Sequence, residues 1–323
     1  MNLTGIHHVT AVSSRIAKNL DFFTDVLGLR LVKKSVNQDD VSAYHLFYAD
    51  KLGTPGTDMT FFDWPRIGAD RRGTDSIVGT TFRVASKEAL AFWMERLDRL
   101  SIKRGELDQF AGRELLPFED PEGQRLYLVN DQEADYEGEI WPHPEIPVEH
   151  ALRGFYSVVL SVSELTSLDD IFTSILNFRK VGDELWIDGS TQGIIYSTGE
   201  AGGPGTEIWL LEQKNLPSAR LGAGGVHHVA FRVQDTEKQA AWLSHLREAG
   251  LGVSQQIDRF WFESIYFRVS PGILFEIATD GPGFAIDEDP DALGQKLVLP
   301  PFLEDQRAEI EEGLVPIQGK MND

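Results

Sequence analysis

Two pairs of adjacent histidines and one glutamate are the residues of this sequence most suited to binding a metal. The pairs His7-His8 and His227-His228 each lie near the start of an apolar, β-branched stretch that is typical of a strand. Because adjacent side chains of a strand point to opposite faces, we expect one histidine of each pair to face a given site. Glu276 interrupts another apolar stretch, where a carboxylate is costly to bury unless it is paired or binds a metal. The alternative is that Glu276 is not buried and points outward from its strand. Two imidazoles and a carboxylate from separate strands form a set that favours iron(II) oxygenase chemistry.

An internal repeat sets these residues apart from the rest of the scaffold. Segments of the first half recur 149 residues later, as in Phe82-Arg83-Val84 with Phe231-Arg232-Val233 and Pro55-Gly56-Thr57 with Pro204-Gly205-Thr206. At that offset, the counterparts of His8, His228 and Glu276 are Ser157, Gly79 and Tyr127. The scaffold therefore does not require these three polar groups, and a functional role becomes the better explanation for them.

The repeat predicts the domain organisation. It divides the chain into two tandem halves, residues 1–132 and 153–281, joined by a linker, 133–152, that is rich in proline and acidic residues. Residues 282–323 form a C-terminal tail with a short surface helix. Each half divides again into two modules of one strand, one helix and three strands. Since the later strands follow each other through short turns, we predict an α+β fold. Four tandem βαβββ modules would form two curved, mixed or antiparallel sheets with the helices outside.

The positions of the candidate ligands predict how the modules assemble. His8 belongs to the first module, whereas His228 and Glu276 belong to the fourth. One metal can bind all three only if those modules share a sheet or a cleft. We therefore expect the first module to pack beside the fourth, and the second beside the third. The three repeat counterparts would then mark a second cleft that lacks a metal.

Composition excludes several classes of function. The formal net charge of −21 argues against binding to nucleic acid or to anionic membrane surfaces. No apolar run approaches the roughly 18 residues that span a bilayer, and the N-terminus has no secretory signal pattern. The sequence has no cysteine, which excludes thiolate metal sites and disulfides. These features predict a cytoplasmic protein.

The motifs resemble those of the vicinal-oxygen-chelate superfamily, which includes glyoxalase I, bleomycin-resistance proteins and extradiol ring-cleavage dioxygenases. The resemblance extends over the whole chain and is carried by His7-His8-Val9-Thr10, Leu20-Asp21-Phe22-Phe23 and Phe275-Glu276-Ile277. Within the superfamily, the four modules and the ligand distribution resemble the hydroquinone ring-cleaving dioxygenases. That resemblance implies His8, His228 and Glu276 as ligands of iron(II), with Mn(II) or another divalent metal as the alternative.

The same resemblance implies a set of pocket residues. The positions that match the hydroquinone enzymes are His7, His227, Thr10, Arg259 and Tyr266. Tyr266 or a pocket histidine would donate or accept a proton, and Arg259 would stabilise negative charge, although both also suit ordinary strand packing. His7 should face away from its neighbour, so a place in the pocket requires a twist or a bulge. The remaining histidines, His45, His143, His150 and His245, are interpreted as structural or surface residues.

Three functions are compatible with these residues. The preferred one is iron(II)-dependent cleavage of a hydroquinone-like or catechol-like ring by dioxygen. The first alternative is a glyoxalase-type metal-dependent lyase or isomerase, which needs a fourth ligand where this sequence places Thr60, or Asp58 if the alignment shifts. The second is a non-catalytic small-molecule binding protein of the bleomycin-resistance type, which needs no metal. Two-domain catechol enzymes fit less well, because their first ligand corresponds to Ser157. Whether the chain forms a homo-oligomer is left open.

Overall fold

The computed structural model describes residues 1–199, 202–270 and 272–317, so the final residues of the predicted tail, 318–323, lie outside the described part. The strands of the first half are β1 (Ile6–Ser13), β2 (Arg30–Asn37), β3 (Asp40–Ala49), β4 (Asp58–Asp63), β5 (Ser76–Val84), β6 (Asp108–Phe110), β7 (Arg113–Glu119) and β8 (Arg125–Asn130). Those of the second half are β9 (Phe155–Val162), β10 (Arg179–Leu185), β11 (Gln192–Ser197), β12 (Glu207–Glu212), β13 (Val226–Val233), β14 (Ile257–Asp258), β15 (Glu263–Ser270) and β16 (Ile273–Thr279).

Each module contributes one helix after its first strand. The helices are α1 (Ile16–Asp21), α2 (Lys87–Arg99), α3 (Thr166–Asp170), α4 (Thr236–Glu248) and, in the tail, α5 (Arg307–Gly313). Single π-helical turns, Phe22–Val26 and Ile171–Ile175, extend α1 and α3. Asp235 caps α4 by accepting a hydrogen bond from the backbone N–H of Lys238 (2.8 Å), which fixes where that helix begins. No helix within the described ranges is long and apolar enough to cross a membrane.

The strands form two eight-stranded mixed sheets, as the sequence predicts. One sheet has the order β14-β15-β16-β13-β1-β4-β3-β2 and combines the fourth module with the first. The other has the order β10-β11-β12-β9-β5-β8-β7-β6 and combines the third module with the second. The first and last strands of each module pair in parallel, whereas the central pairs β1–β13 and β5–β9 are antiparallel. The predicted pairing of modules is therefore confirmed.

Successive side chains of the central strands point alternately to an apolar face and a polar face of the sheet. Val9 and Ala11 of β1 are fully buried in the large apolar core that also contains Leu20 of α1 and Trp242 of α4. His8 and Thr10 lie between these residues in the sequence and face the opposite side of the sheet, where the pocket described below is found. The helices thus cover one face, and the other face is free to hold polar groups.

The tail packs against the sheet that contains His8. Lys33 of β2 is completely buried, and its ammonium pairs with Asp287 (2.7 Å) and with Glu288. Asp287 also accepts a hydrogen bond from the indole N–H of Trp261 (3.1 Å). Helix α5 contacts β3. The tail therefore covers the first module of its own chain and supports one wall of the pocket through Trp261.

Candidate metal centre

The antiparallel pair β1–β13 brings the two histidine pairs together at the middle of the sheet. In its register, His8 lies opposite Ala230 and Thr10 lies opposite His228. The neighbouring parallel strand β16 places Glu276 beside Ala230. Residues from the two ends of the chain thus meet on one face of three adjacent strands.

The side chains of His8, His228 and Glu276 converge on one point. The Nε2 atoms of the two histidines are 3.4 Å apart. Oε2 of Glu276 lies 2.9 Å from Nε2 of His228 and 3.2 Å from Nε2 of His8. All three side chains are buried, and one ligand atom from each lies within 4.8 Å of the others. This is the only such group of histidine and carboxylate side chains found within the described residues.

Two β-bulges orient the imidazoles. Between Ile6 and His8, β1 contains one residue more than β13, and the extra residue is His7. The reverse occurs further along the pair, where His227 is the extra residue of β13. Each bulge turns the first histidine of its pair beside the second, so that their Nδ1 atoms are 2.9 Å apart for His7 and His8, and 2.7 Å apart for His227 and His228.

This contact determines which ring nitrogens are available to a metal. Burial lowers the pKa of His7 and of His227 to about 3, so both rings are neutral. If Nδ1 of His8 donates to Nδ1 of His7, Nε2 of His8 is left without a proton and can bind a metal. Nε2 of His7 then donates to the carbonyl oxygen of Thr279 (3.1 Å). The same arrangement in the second pair leaves Nε2 of His228 available.

The carboxylate of Glu276 is ionised despite its burial. Burial alone would raise its pKa, but His8 and His228 hold the pKa of Glu276 well below its usual value. Burial also lowers the pKa of His228, whereas the charge of Glu276 gives His8 a net upward shift. Ser264 donates a hydrogen bond of 2.5 Å to Oε1 of Glu276.

The donor set fits a divalent metal ion. Oε2 of Glu276 is completely buried and has no hydrogen-bond partner among the described residues, although it faces two ring nitrogens. Without a metal, a proton on the imidazoles balances the charge of Glu276, and a divalent cation would take the place of that proton between the carboxylate and the two ring nitrogens. Two nitrogen donors and one carboxylate on one side of a metal match the ligands of non-haem iron(II) sites and leave the other positions open. His8, His228 and Glu276 would hold the ion.

A narrow pocket of about 40 Å³ lies against the two histidines of this group, His8 and His228. Thr10, Arg259 and Tyr266 line it, together with His8 and His228, and their roles in catalysis stay predictions. Phe62, Trp261 and Phe262 provide an aromatic wall. His7 and His227 lie behind the candidate ligands instead, where they contact the Nδ1 atoms of His8 and His228.

The sequence did not single out several residues that the structure places at the pocket. His45 of β3, interpreted from the sequence as structural or surface, lines the pocket, and its Nε2 lies 2.8 Å from Oγ1 of Thr60. Thr60 in turn donates to Oγ1 of Thr10 (2.9 Å). Asp39 also lines the pocket and makes a two-pronged ion pair with Arg259, at 2.8 and 3.1 Å. In the pair β3–β4, His45 lies opposite Phe62, and only the folded side chains show that its ring reaches Thr60.

Strand register also settles which residue occupies the place of a fourth ligand. In the parallel pair β13–β16, His228 lies beside Leu274, and Glu276 is two residues further along. In the equivalent pair β1–β4, His8 lies beside Asp58, and Thr60 is two residues further along. Thr60 is therefore the counterpart of Glu276. Asp58 is buried, neither of its carboxyl oxygens has a hydrogen-bond partner in the described structure, and burial raises its pKa to about 8.

The equivalent place in the second sheet is filled and does not form the expected cleft. Val78 and Tyr156 are the extra residues of corresponding bulges in β5 and β9. Tyr127, the counterpart of Glu276, is buried in an aromatic cluster with Trp186 and Trp209. A Cβ atom at Gly79 would lie only 2.7 Å from the Tyr127 ring. The two sheets share their backbone plan, but large side chains have replaced the polar site in one of them.

Fold and site together define a two-domain protein of glyoxalase type. Residues 5–128 and 154–291 match the Glyoxalase/Bleomycin resistance protein/Dioxygenase superfamily, and the chain belongs to that family. It is 46% identical over 318 residues to MhqA of Bacillus subtilis (strain 168), which is provisionally named a ring-cleaving dioxygenase, with 98% of this chain and all of MhqA covered. It is 32% identical to the chlorohydroquinone/hydroquinone 1,2-dioxygenase of Sphingobium indicum over 95% of this chain and 94% of that protein.

Solved structures support the same assignment of fold. A Bacillus subtilis protein with 36% identity superimposes with a TM-score of 0.89, covering 98% of this chain and 99% of the other. Glyoxalase I from Zea mays superimposes with a TM-score of 0.62 at 14% identity, covering 85% of this chain and 92% of the other. The second likeness concerns the fold alone.

Proposed function

We propose that the protein is an iron(II)-dependent ring-cleaving dioxygenase that acts on hydroquinone-like or catechol-like aromatics. The observation that carries the proposal is the convergence of His8, His228 and Glu276, with both histidines lining a pocket that has aromatic walls. The 32% identity to an enzyme named a chlorohydroquinone/hydroquinone 1,2-dioxygenase supports this choice of reaction and substrate. The partners of the protein would be a small aromatic and dioxygen, with no nucleic acid or membrane.

When bound, iron(II) supplies Lewis-acid activation of a phenol and one-electron chemistry toward dioxygen. The protein's own groups position the substrate. The planar faces of Phe62, Trp261 and Phe262 suit an aromatic ring, which they would hold by offset or edge-to-face packing. Arg259 would stabilise negative charge on a substrate oxygen within this water-poor pocket.

We assign proton transfer to Tyr266 and to the hydrogen-bonded residues His45, Thr60 and Thr10. Burial and the charge of Glu276 raise the pKa of Tyr266, so its hydroxyl remains protonated and can donate. Burial lowers the pKa of His45 well below its usual value, so this imidazole is neutral. Because the Thr60 hydroxyl already donates to Thr10, Nε2 of His45 would donate to Thr60, and Nδ1 would be left as an acceptor for a substrate hydroxyl. The pocket therefore offers one donor and one acceptor.

Substrate entry requires the pocket to open. Its volume of about 40 Å³ is well below the roughly 150 Å³ of an engineered cavity that binds benzene. The ion pair between Arg259 and Asp39, both lining residues, joins the turn after β2 to the segment after β14. Separation of this pair would admit the ring and bring the Arg259 guanidinium to the substrate.

A lyase or isomerase of glyoxalase type has less support. Thr60 stands where a carboxylate ligand would be needed, and its hydroxyl is already engaged with Thr10 and His45. A binding protein without a metal would give no reason to bury the carboxylate of Glu276 against two imidazoles. We keep a cytoplasmic location within the proposal and leave open whether the chain forms a homo-oligomer.

Metal analysis of anaerobically prepared protein, followed by oxygen uptake with hydroquinones and catechols, tests the proposal. We expect stoichiometric iron and oxygen consumption with at least one of these compounds. His8→Ala, His228→Ala and Glu276→Gln should each lose iron and activity while circular dichroism remains unchanged. Stoichiometric iron in any of these variants would remove that residue from the ligand set. Activity with nickel or zinc in the absence of oxygen would favour the lyase instead.

A further inference from the structure

The first part of the C-terminal tail, residues 284–288, packs directly against two walls of the candidate pocket. Phe284 is buried, and the centroid of its ring lies 5.2 Å from that of Phe47 and 6.1 Å from that of Trp261. Phe47 and Trp261 both line the pocket. The tail therefore reaches pocket residues of the first module and of the fourth.

Asp287 connects the indole of Trp261 to a buried lysine. The indole N–H donates to the carboxylate of Asp287, with distances of 3.1 Å to Oδ2 and 3.2 Å to Oδ1. The same carboxylate accepts a hydrogen bond of 2.7 Å from Nζ of Lys33. This ammonium also lies over the indole, 5.2 Å from the centroid of the ring. The carboxylate thus holds the edge of the Trp261 ring, and the ammonium holds its face.

The internal repeat shows that the scaffold does not need this network. Lys33 follows a bulge in β2, and its counterpart 149 residues later, Gly182, follows the corresponding bulge in β10. The counterpart of Trp261 is Gly112, in the turn between β6 and β7. The sheet whose site is filled therefore has neither the lysine nor the tryptophan. A buried ion pair adds little net stability compared with apolar groups, so a role in fixing the arrangement of its neighbours is the better explanation.

We propose that Asp287 is a positioning residue for the substrate, on which it acts only through Trp261. By fixing the plane of the indole, Asp287 keeps one wall of the pocket ready for an aromatic ring, so that binding does not have to order this side chain. This inference rests on the proposed function, in which an aromatic ring occupies the pocket. It predicts an effect on substrate affinity and none on iron content or on the rate of ring cleavage.

Asp287→Ala and Glu288→Ala form a matched pair of variants. Glu288 also pairs with Lys33, but within the described structure it makes no hydrogen bond to Trp261. Each substitution therefore leaves the lysine with one carboxylate, and only Asp287→Ala removes the acceptor of the indole N–H.

The measurements are made on the iron-loaded, full-length protein with hydroquinone and with catechol. Anaerobic calorimetry gives the Kd, and oxygen uptake gives KM and kcat. We expect Asp287→Ala to raise both Kd and KM about tenfold, with kcat, iron content and circular dichroism unchanged. Glu288→Ala should leave all of these quantities unchanged.

A double-mutant cycle with Trp261→Phe distinguishes positioning from general support of the fold. Phenylalanine keeps an aromatic wall but has no N–H to donate, so Asp287→Ala should change the Kd by less than about twofold in this background. A tenfold effect that persists in the Trp261→Phe background, or equal effects of the two alanine substitutions, would overturn the proposal. If Asp287→Ala does not fold, Asp287→Asn, which keeps the shape of the side chain, takes its place in the cycle.

Failure of the proposed function gives a different result. A wild type that binds hydroquinone or catechol but consumes no oxygen contradicts the proposed reaction, whereas the Kd values of the variants still decide the role of Asp287. A wild type that binds neither compound would overturn both proposals.

Discussion

Ser264→Ala tests whether the hydrogen bond behind Glu276 holds the metal ligand in place. Ser264 is fully buried, and its hydroxyl donates to Oε1 of Glu276 at 2.5 Å, while Oε2 faces the two histidines. A hydrogen bond to a charged group contributes about 1.5–3 kcal/mol. Since about 1.4 kcal/mol corresponds to a tenfold change, we expect the Kd for iron(II) or Mn(II) to rise about 10- to 100-fold.

The assay is competitive titration against a metal chelator at fixed pH, with circular dichroism to verify the fold. Ser35→Ala is the matched control, because Ser35 is also a fully buried strand serine but its hydroxyl has no hydrogen-bond partner in the described structure. The control should leave the Kd unchanged. If Ser264→Ala binds metal as tightly as Ser35→Ala does, the hydrogen bond does not position Glu276 and the reasoning is wrong.

Three further predictions concern groups around the pocket. Asp58→Asn should remove a pH dependence of stability from the metal-free protein. Burial raises the pKa of the Asp58 carboxyl from 3.8 to about 8. The protonated carboxyl therefore contributes its full stabilisation of the fold below pH 3.8, and this contribution is lost as the pH rises to about 8. The free energy of unfolding should change by at most about 1.4 kcal/mol per pH unit. If this free energy, measured by urea unfolding, depends on pH in the same way for wild type and variant across pH 5–8, the prediction is wrong. Tyr266→Phe should retain iron but slow turnover by roughly 10²–10⁴-fold, and an unchanged kcat would make Tyr266 a packing residue. His45→Leu should leave metal affinity intact and raise KM for the aromatic about tenfold in oxygen-uptake assays, and an unchanged KM would remove His45 from substrate binding.

The sequence was sufficient to predict the modules and their pairing. Strand and helix periodicities marked each βαβββ unit, and the 149-residue repeat aligned them. The pairing followed from chemistry, because His8 can share a metal with His228 and Glu276 only if the first and fourth modules are neighbours. The observed sheet order agrees with this argument.

The sequence could not predict features that depend on strand register. A bulge at His7 was expected only as the condition for a place in the pocket, whereas the structure has bulges at both His7 and His227 and puts these rings behind the candidate ligands. Lys33 is completely buried although lysine is rarely buried, and its partner Asp287 lies 254 residues away, so no local pattern indicates this ion pair. Trp186 and Trp209 fill the place of the second cleft through contacts between segments that are distant in the sequence. No local sequence pattern indicates such contacts.

The nested order of the two sheets has a consequence for synthesis on the ribosome. The strands of one sheet, β5 to β12, form an uninterrupted stretch of the chain, whereas the metal-site sheet needs both ends. His8 and His228 are separated by 220 residues, so the newly made first module must wait for the fourth while the edge of β1 remains unpaired. The inner sheet can be complete before residue 226 emerges. In the proposed enzyme, metal loading would therefore be among the last events of maturation, and a chain truncated before Glu276 would carry one finished sheet and no complete candidate metal site.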